Sequence, residues 1–374
     1  MRSLMVQRSI PYAIACRLFG CFFIHNFSGK SLAQAKVTWK GLYTCYAFAC
    51  IVAYVVGDTV YVMLYLDALE DIPRSLTRSM LLVVHGVITA RISVNLAAMW
   101  AGPKRLLVFF RHTEAFEKAT GFVPSTRRSL LTSSTLRWSA LRAFLACSGM
   151  VACYSASIEF LMGVLVADIV GPRWVLPLRA LALFVTIAVI LYDAITYLFL
   201  RSSGTVLVEY VHAQLESFRK CTQPRTTRSL SGVCGHMEAI RLNMSEIKKF
   251  KESLNSIWLA PLVVAAASIV TMDCVVLEPL FHDGLKRELW WGSAYALYAT
   301  LCFIDLSYVS QALVDEARKL KDATLMVPTF NATDGFLQQM RYLHEAIDPE
   351  GMCIGGSGFF ALKKSLLVSV SLSR

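Results

Sequence analysis

Charge is scarce in this 374-residue sequence, where Asp, Glu, Lys and Arg together make up 17% and apolar residues 56%. That balance excludes an ordinary soluble domain and points to a membrane protein. Acid is absent from the first 41 residues, which carry Arg2, Arg8, Arg17, Lys30, Lys36 and Lys40. No Cys-x-x-Cys pair occurs among the eleven cysteines, and Cys45, Cys50, Cys147, Cys153, Cys274 and Cys302 lie in apolar runs. A disulfide framework and a zinc site are therefore not expected, Cys221, Cys234 and His236 lacking a fourth ligand. The sequence also has no His-Glu-x-x-His, no Gly-x-Ser-x-Gly and no phosphate-binding Gly-x-x-x-x-Gly-Lys-Ser/Thr, so neither an enzyme nor a cofactor is expected. A cleavable leader is not expected either, because Arg17 interrupts the apolar run from Ile10 to Phe27 and no small-residue cleavage site follows.

What is present is a series of long apolar segments. A helix needs about 20 apolar residues to cross the hydrocarbon core, and only a helix or a closed barrel satisfies its backbone there. Six segments qualify, at residues 42–66, 79–100, 139–166, 175–200, 257–281 and 289–314. Their connections alternate, short after the first, third and fifth and long after the second, fourth and sixth. The net charge of +11 gathers in the N-terminal segment and in the long connections around Lys104–Arg137 and Arg219–Lys251. This distribution is a positive-inside bias rather than a nucleic-acid surface, and it puts the N-terminus in the cytoplasm. The sequons at Asn26, Asn243 and Asn331 then fall inside and are expected to stay unglycosylated.

Two long connections carry helical periodicity. Ile240, Met244, Ile247, Phe250, Leu254 and Ile257 recur at three and four, as do Leu337, Met340, His344 and Ile347. Because these stripes flank successive spans, a cytoplasmic helical bundle is favoured over helices lying on the membrane surface. The expected architecture is an all-α polytopic membrane protein: a cytoplasmic segment at 1–41, then a transmembrane domain over 42–374. Six complete helices are followed by a partial seventh at 358–373, whose ten residues from Ser365 to Arg374 rise only about 15 Å.

Ionisable groups inside spans cost several kcal/mol unless paired or wet. Asp58, His85, Arg91, Arg142, Glu159, Asp193, Asp273, Glu278 and Asp305 are of this kind. On the sixth span Trp291, Tyr295, Tyr298, Cys302 and Asp305 follow one another at four, three, four and three, on one stripe. With His85, Tyr154, Glu159 and Asp273 at similar depth, they describe a small-molecule pocket of apolar walls and a few polar groups. Trp and Tyr near a helix end also form an interfacial belt, the reading favoured for Trp291 over Tyr295 and Tyr298, and for each of the charges a structural role is favoured over a ligand contact.

Ser9-Ile10-Pro11-Tyr12-Ala13-Ile14-Ala15-Cys16-Arg17-Leu18-Phe19-Gly20 has a proline and an arginine before a Leu-x-Gly turn, and in this it is similar to the opening of the arthropod gustatory receptor family. Gly358-Phe359-Phe360-Ala361-Leu362-Lys363-Lys364-Ser365-Leu366-Leu367 is similar to the entry of its last helix. The resemblance implies an inverted seven-helix receptor related to insect odorant receptors, a homo- or hetero-tetrameric, nonselective cation channel of the plasma membrane opened by small-molecule tastants. It also implies an anchor bundle of inner helix extensions and a pore side formed by Phe359, Phe360, Lys363, Lys364 and Ser365. The chain departs from the family in ending at Ser373-Arg374, without the Thr-Tyr and Gln-Phe that follow there. This reads as a truncated last helix, and a homomer that conducts poorly is expected. A G-protein-coupled receptor is disfavoured by the inside N-terminus and by the absence of Asp/Glu-Arg-Tyr and Asn-Pro-x-x-Tyr. A proton-coupled transporter is disfavoured by the absence of a half-to-half repeat.

Overall fold

The structure is a computed structural model, which describes residues 2–29, 31–39, 41–68, 76–122, 134–161, 172–222, 230–282, 290–327, 333–356 and 360–362. Its described helices are α1 (Leu4–Leu18), α2 (Leu42–Ala68), α3 (Leu76–Ala101), α4 (Pro103–Thr120), α5 (Ser134–Leu161), α6 (Pro172–Thr222), α7 (Leu230–His282), α8 (Trp290–Leu325) and α9 (Asp334–Ala346). Five of these, α2, α3, α6, α7 and α8, are long and apolar enough to cross a membrane. The remaining expected span corresponds to α5, whose described apolar stretch is Ala140–Ala152. The expected segment 162–166 lies outside the described residues.

The apolar runs form helices that sort their faces by packing partner. On α2, Ala47, Cys50, Tyr54 and Tyr61 are buried, whereas Phe48, Val55, Val56 and Met63 are exposed, as a lipid-facing surface would be. Small residues set the close approaches, as is usual between membrane helices. A Cβ at Gly57 would come within 2.4 Å of Val185 on α6. Gly20 has φ +74° and lies where a Cβ would meet the Ala47 backbone at 2.7 Å, which explains the Leu-x-Gly turn after α1.

Three helices run well past the membrane. The spans expected at 175–200, 257–281 and 289–314 are parts of α6, α7 and α8, of 51, 53 and 36 residues. Beyond the membrane they pack together with α9. Ile240, Met244, Ile247, Phe250 and Leu254 are all buried, so the stripe on α7 faces a bundle rather than a lipid surface. On α9 the buried face is Met340 and Leu343, continued by Ile347 just past the helix end, with Phe336 packed against the core, while Leu337 is exposed. The expected Leu337/His344 register is corrected by about one position, and His344 instead hydrogen-bonds Thr324 through Nδ1 at 2.8 Å.

The N-terminal segment is built rather than trailing. α1 lies along α6, where Arg8 pairs with Glu209. Short strands β1 (Ile24–His25) and β2 (Lys36–Val37) form an antiparallel pair. α4 anchors the intervening turn: Arg111 donates to the carbonyls of Leu32 at 3.3 Å and Ala35 at 2.7 Å, and Glu114 accepts from the Leu32 amide at 3.3 Å. Neither α1 nor α4 was expected from the sequence, although Gly102-Pro103 and a left-handed Gly121 bracket α4.

The C-terminal tail begins differently from the expected helix at 358. β3 (Gly355–Gly356) pairs with β4 (Phe360–Ala361), so Phe360 stands in a hairpin and not in a first helical turn. Gly355 and Gly356 are poor helix formers and pair as strand instead. The hairpin is pinned by Ile354 N donating to Ser310 Oγ at 2.9 Å, Gly355 N to Asn255 Oδ1 at 3.3 Å and Leu362 N to Ile354 O at 2.9 Å. Residues 363–374, and with them Lys363, Lys364 and Ser365, lie outside the described residues, as does Phe359.

Candidate functional site: a polar cluster between the central helices

Arg91 and Asn95 stand one turn apart on α3, Asp193, Thr196 and Tyr197 on one face of α6, and Tyr295 and Asp305 on α8. These positions converge inside the helix bundle. Arg91 grips Asp193 as a fork, with Nε 3.0 Å from Oδ1 and Nη2 3.2 Å from Oδ2. Tyr295 donates its hydroxyl to the same Oδ1 at 2.9 Å, and its ring lies beneath the Arg91 guanidinium, 5.5 Å from the centroid. Asn95 Nδ2 reaches the carbonyls of Tyr192 and Asp193, both at 2.9 Å, and Asn95 Oδ1 accepts from Thr196 Oγ1 at 2.6 Å. Farther along α6, Asp305 Oδ2 accepts from Tyr197 Oη at 2.8 Å and from Arg201 Nε at 2.7 Å.

Two fully buried carboxylates, one arginine each and one tyrosine each therefore tie α6 to α3 and α8. Ion pairs of this quality are needed because an unpaired charge at this depth is prohibitive. A bidentate arginine further fixes the register of two helices. One donor is left over. Arg91 Nη1 is buried and has no hydrogen-bond partner among the described residues. A cavity of about 30 Å³ opens beside it, bounded by Asn95, Thr196, Leu262, Ala299 and Cys302. That volume accommodates one or two water molecules and nothing larger.

The expected pocket residues separate into groups. Tyr295 and Tyr298 are buried with their rings 5.8 Å apart, and Tyr295 is committed to the cluster. His85 belongs to a second polar contact nearer the other end of α3: its Nε2 lies 3.3 Å from Asp58 Oδ2 of α2 and 3.3 Å from Thr89 Oγ1. The beginning of α8 packs on α3 at Val84, where a Cβ at Gly292 would sit 3.9 Å from the valine side chain. Asp273 is half-buried on α7 and has an interaction partner. Tyr154 and Glu159 of α5 and Trp291 of α8 lie on described helices, but their side chains are outside the described residues.

Sequence reasoning singled out Arg91, Asp193 and Asp305 as costly charges and anticipated that Arg91 could pair with a neighbouring helix. It missed Asn95, Thr196, Tyr197 and Arg201. Their signal was the repetition of polar residues at three and four from the charges: Arg91/Asn95 on one span, and Asp193, Thr196, Tyr197 and Arg201 on another.

No protein-family model matches this sequence, and neither does any curated protein. Among solved structures, the chain is similar to the insect olfactory receptor OR5 from Machilis hrabei in complex with eugenol. The two superpose with a TM-score of 0.65 over 97% of this chain and 94% of that one, at 12% identity. Likeness at that identity is one of architecture, and it extends over nearly the whole of both chains. The chain is thus an all-α, multi-pass membrane protein with the fold of an insect olfactory receptor.

Proposed function

We propose that this chain is a chemosensory receptor of gustatory type, a subunit of a ligand-gated, nonselective cation channel that detects small-molecule tastants at the plasma membrane. The observation that carries the reading is the shared fold over nearly the whole length of both chains with a receptor solved bound to a small molecule, eugenol. The two family-like stretches of sequence support it independently. A homo- or hetero-tetramer with related subunits follows from the same resemblance, as does a cytoplasmic N-terminus, which the positive-inside distribution also favours.

In this reading the tastant engages the outer ends of α3, α5, α7 and α8, with His85, Tyr154, Glu159, Asp273, Trp291, Tyr295 and Tyr298 as contacts. The inner cavity beside Arg91 is too small for it. Binding instead acts on Tyr295, which transmits to the Arg91–Asp193 pair by its hydroxyl. Phe359, Phe360, Lys363, Lys364 and Ser365 are assigned to the pore side, where the lysines stand at the inner mouth.

Whole-cell recording from cells expressing the chain, alone and with a related subunit, tests this. A ligand-evoked cation current that persists under G-protein block is the expected result. A response that disappears with G-protein block, with no evoked current, would overturn it.

A further inference from the structure

The first acid of the sequence is Asp58, so the N-terminal segment and the start of α2 carry positive charge without an internal counterion. The fold collects part of that charge. The end of α1, the β1–β2 hairpin and the first turn of α2 enclose a cavity of about 810 Å³, lined by Arg17, His25, Lys36, Asn26 and Tyr43 among others and by no carboxylate. A smaller cavity of about 190 Å³, lined also by Ile10, Ile14 and Ile24, shares Arg17, His25 and Asn26 with it. Arg17 stands between them, held with its guanidinium 5.0 Å from the centre of the Tyr43 ring and with Nη1 donating to the Ile24 carbonyl at 3.2 Å. Among the described residues, Arg17, His25 and Lys36 form no ion pair. By contrast Arg8, on the same segment, is spent on Glu209.

The depth of this cavity is marked independently. Phe23 is buried among Trp39, Tyr43 and Trp100, with ring centroids 4.3, 5.7 and 5.4 Å away. These aromatics gather where α2 enters its apolar stretch at Leu42 and where α3 leaves its own at Ala101. Clustered Trp and Tyr at the ends of two spans mark the level of the lipid headgroups. Leu42 lines the opening and is 90% exposed, and Leu18, next to Arg17 in sequence, and Phe48, farther along α2, are each exposed by 62%, an apolar surface beside the site. Uncompensated cations at headgroup level, beside apolar surface at acyl level, match an amphiphile with an anionic head.

We propose that this cavity is a binding site for an anionic phospholipid, its phosphate held by Arg17 and Lys36 with His25 and Asn26, and its chains lying along Leu18, Leu42 and Phe48. The N-terminal side being cytoplasmic, the lipid comes from the inner leaflet, where anionic headgroups are concentrated. Because the N-terminal hairpin also packs on α4, an occupied site ties α1, α2 and α4 to that leaflet.

The test uses the purified full chain in mixed micelles of phosphatidylcholine, with or without a phosphatidylinositol bisphosphate, and quantifies the lipid retained after affinity capture. Selective retention of the phosphoinositide is expected. Lys36→Gln should lower it about fivefold, the change that one lysine near a charged surface produces, and Lys36→Glu should lower it further. Lys220→Glu, an exposed lysine at the far end of α6, should leave retention unchanged. Equal retention by Lys36→Glu and the unaltered chain would overturn the site. An equal loss in Lys220→Glu would replace it with diffuse surface attraction. Complete displacement by millimolar inorganic phosphate would overturn the assignment to lipid in favour of a soluble anion. The readout is independent of channel activity, so it stands or falls apart from the receptor function.

Discussion

Glu117 Oε2 lies 2.8 Å from the backbone nitrogen of Leu4, so α4 supplies the N-terminal cap that α1 does not provide for itself. The other oxygen accepts from Ser3 Oγ at 2.8 Å, from Met5 N at 3.3 Å and from the hydroxyl of Tyr210. A carboxylate at a helix N-terminus satisfies free N–H groups and complements the helix dipole. Glu117→Gln should therefore cost about 1–2 kcal/mol locally. Hydrogen exchange of the α1 amides should quicken while that of the central spans stays as it was. Unchanged protection at Leu4 and Met5 would show that the cap is not needed.

The fork between Arg91 and Asp193 makes a sharper prediction. Arg91→Met leaves Asp193 buried with only Tyr295 as partner, and loss of one member of a buried pair costs about 3–5 kcal/mol. A lowered thermal midpoint in detergent is expected, with much of the loss recovered by Arg91→Met combined with Asp193→Leu. If the double variant is no more stable than the single one, the cost arises from packing rather than from an uncompensated charge.

Tyr295→Phe keeps the ring beneath Arg91 and removes only the hydroxyl. Its stability effect should be about 1 kcal/mol. Under the proposed function, its effect on ligand sensitivity should exceed its effect on the melting temperature. Dose–response curves and melting curves on the same preparation compare the two. A ligand response shifted no more than the melting curve would place Tyr295 among purely structural residues.

The pH response should come from the inner bundle. His212 of α6, about 18 Å along the helix past the end of the expected span, lies 3.1 Å from Glu316 of α8 and 3.4 Å from Glu216. Its pKa is raised from the ordinary 6.5, chiefly by the hydrogen bond to Glu316, and that of Glu316 is lowered despite burial, by His212 and Lys319. A raised histidine contributes stability that is full below its unfolded pKa and is lost as pH rises through the folded one. A depressed carboxylate contributes stability that is full above its unfolded pKa and is lost as pH falls through the folded one. The contact between α6 and α8 should therefore be firmest at mildly acidic pH. The stability gap between the unaltered chain and His212→Gln should shrink as pH rises above 6.5, as thermal melts from pH 5.5 to 8.5 would reveal. A gap that widens with pH would invert the assignment.

Much of this architecture is legible in the sequence because lipid imposes a simple rule: a long apolar run must be a helix. The extension of α7 was legible too, since Ile240 through Leu254 keep one face through a polar connection. α1 was hidden by Pro11 and Arg17, which interrupt its apolar pattern, and α4 by the charges of a loop that its Gly102-Pro103 start did not outweigh. The partners in the polar cluster are a different matter. Arg91 and Asp193 each announce a cost, but what joins them is a helix contact across about a hundred residues, and no local pattern encodes it. The tail shows the converse, since family-like residues around Phe360 suggested a helix where Gly355 and Gly356 instead pair with Ala361 and Phe360 in a hairpin pinned by Ser310 and Asn255.

The length of α7 has a mechanical consequence. At 53 residues it rises about 80 Å, more than twice the hydrocarbon thickness of about 30 Å. Leu262 of this helix borders the cavity beside Arg91, so the polar cluster acts on it as a fulcrum partway along a lever. A tilt of about 3° about that point carries the Leu230 end, about 48 Å away, through roughly 2.5 Å, close to the scale on which packed helices shift. Small displacements at the His282 end are thereby delivered to Asn255, Phe250 and the pinned hairpin as motion of a single stiff rod.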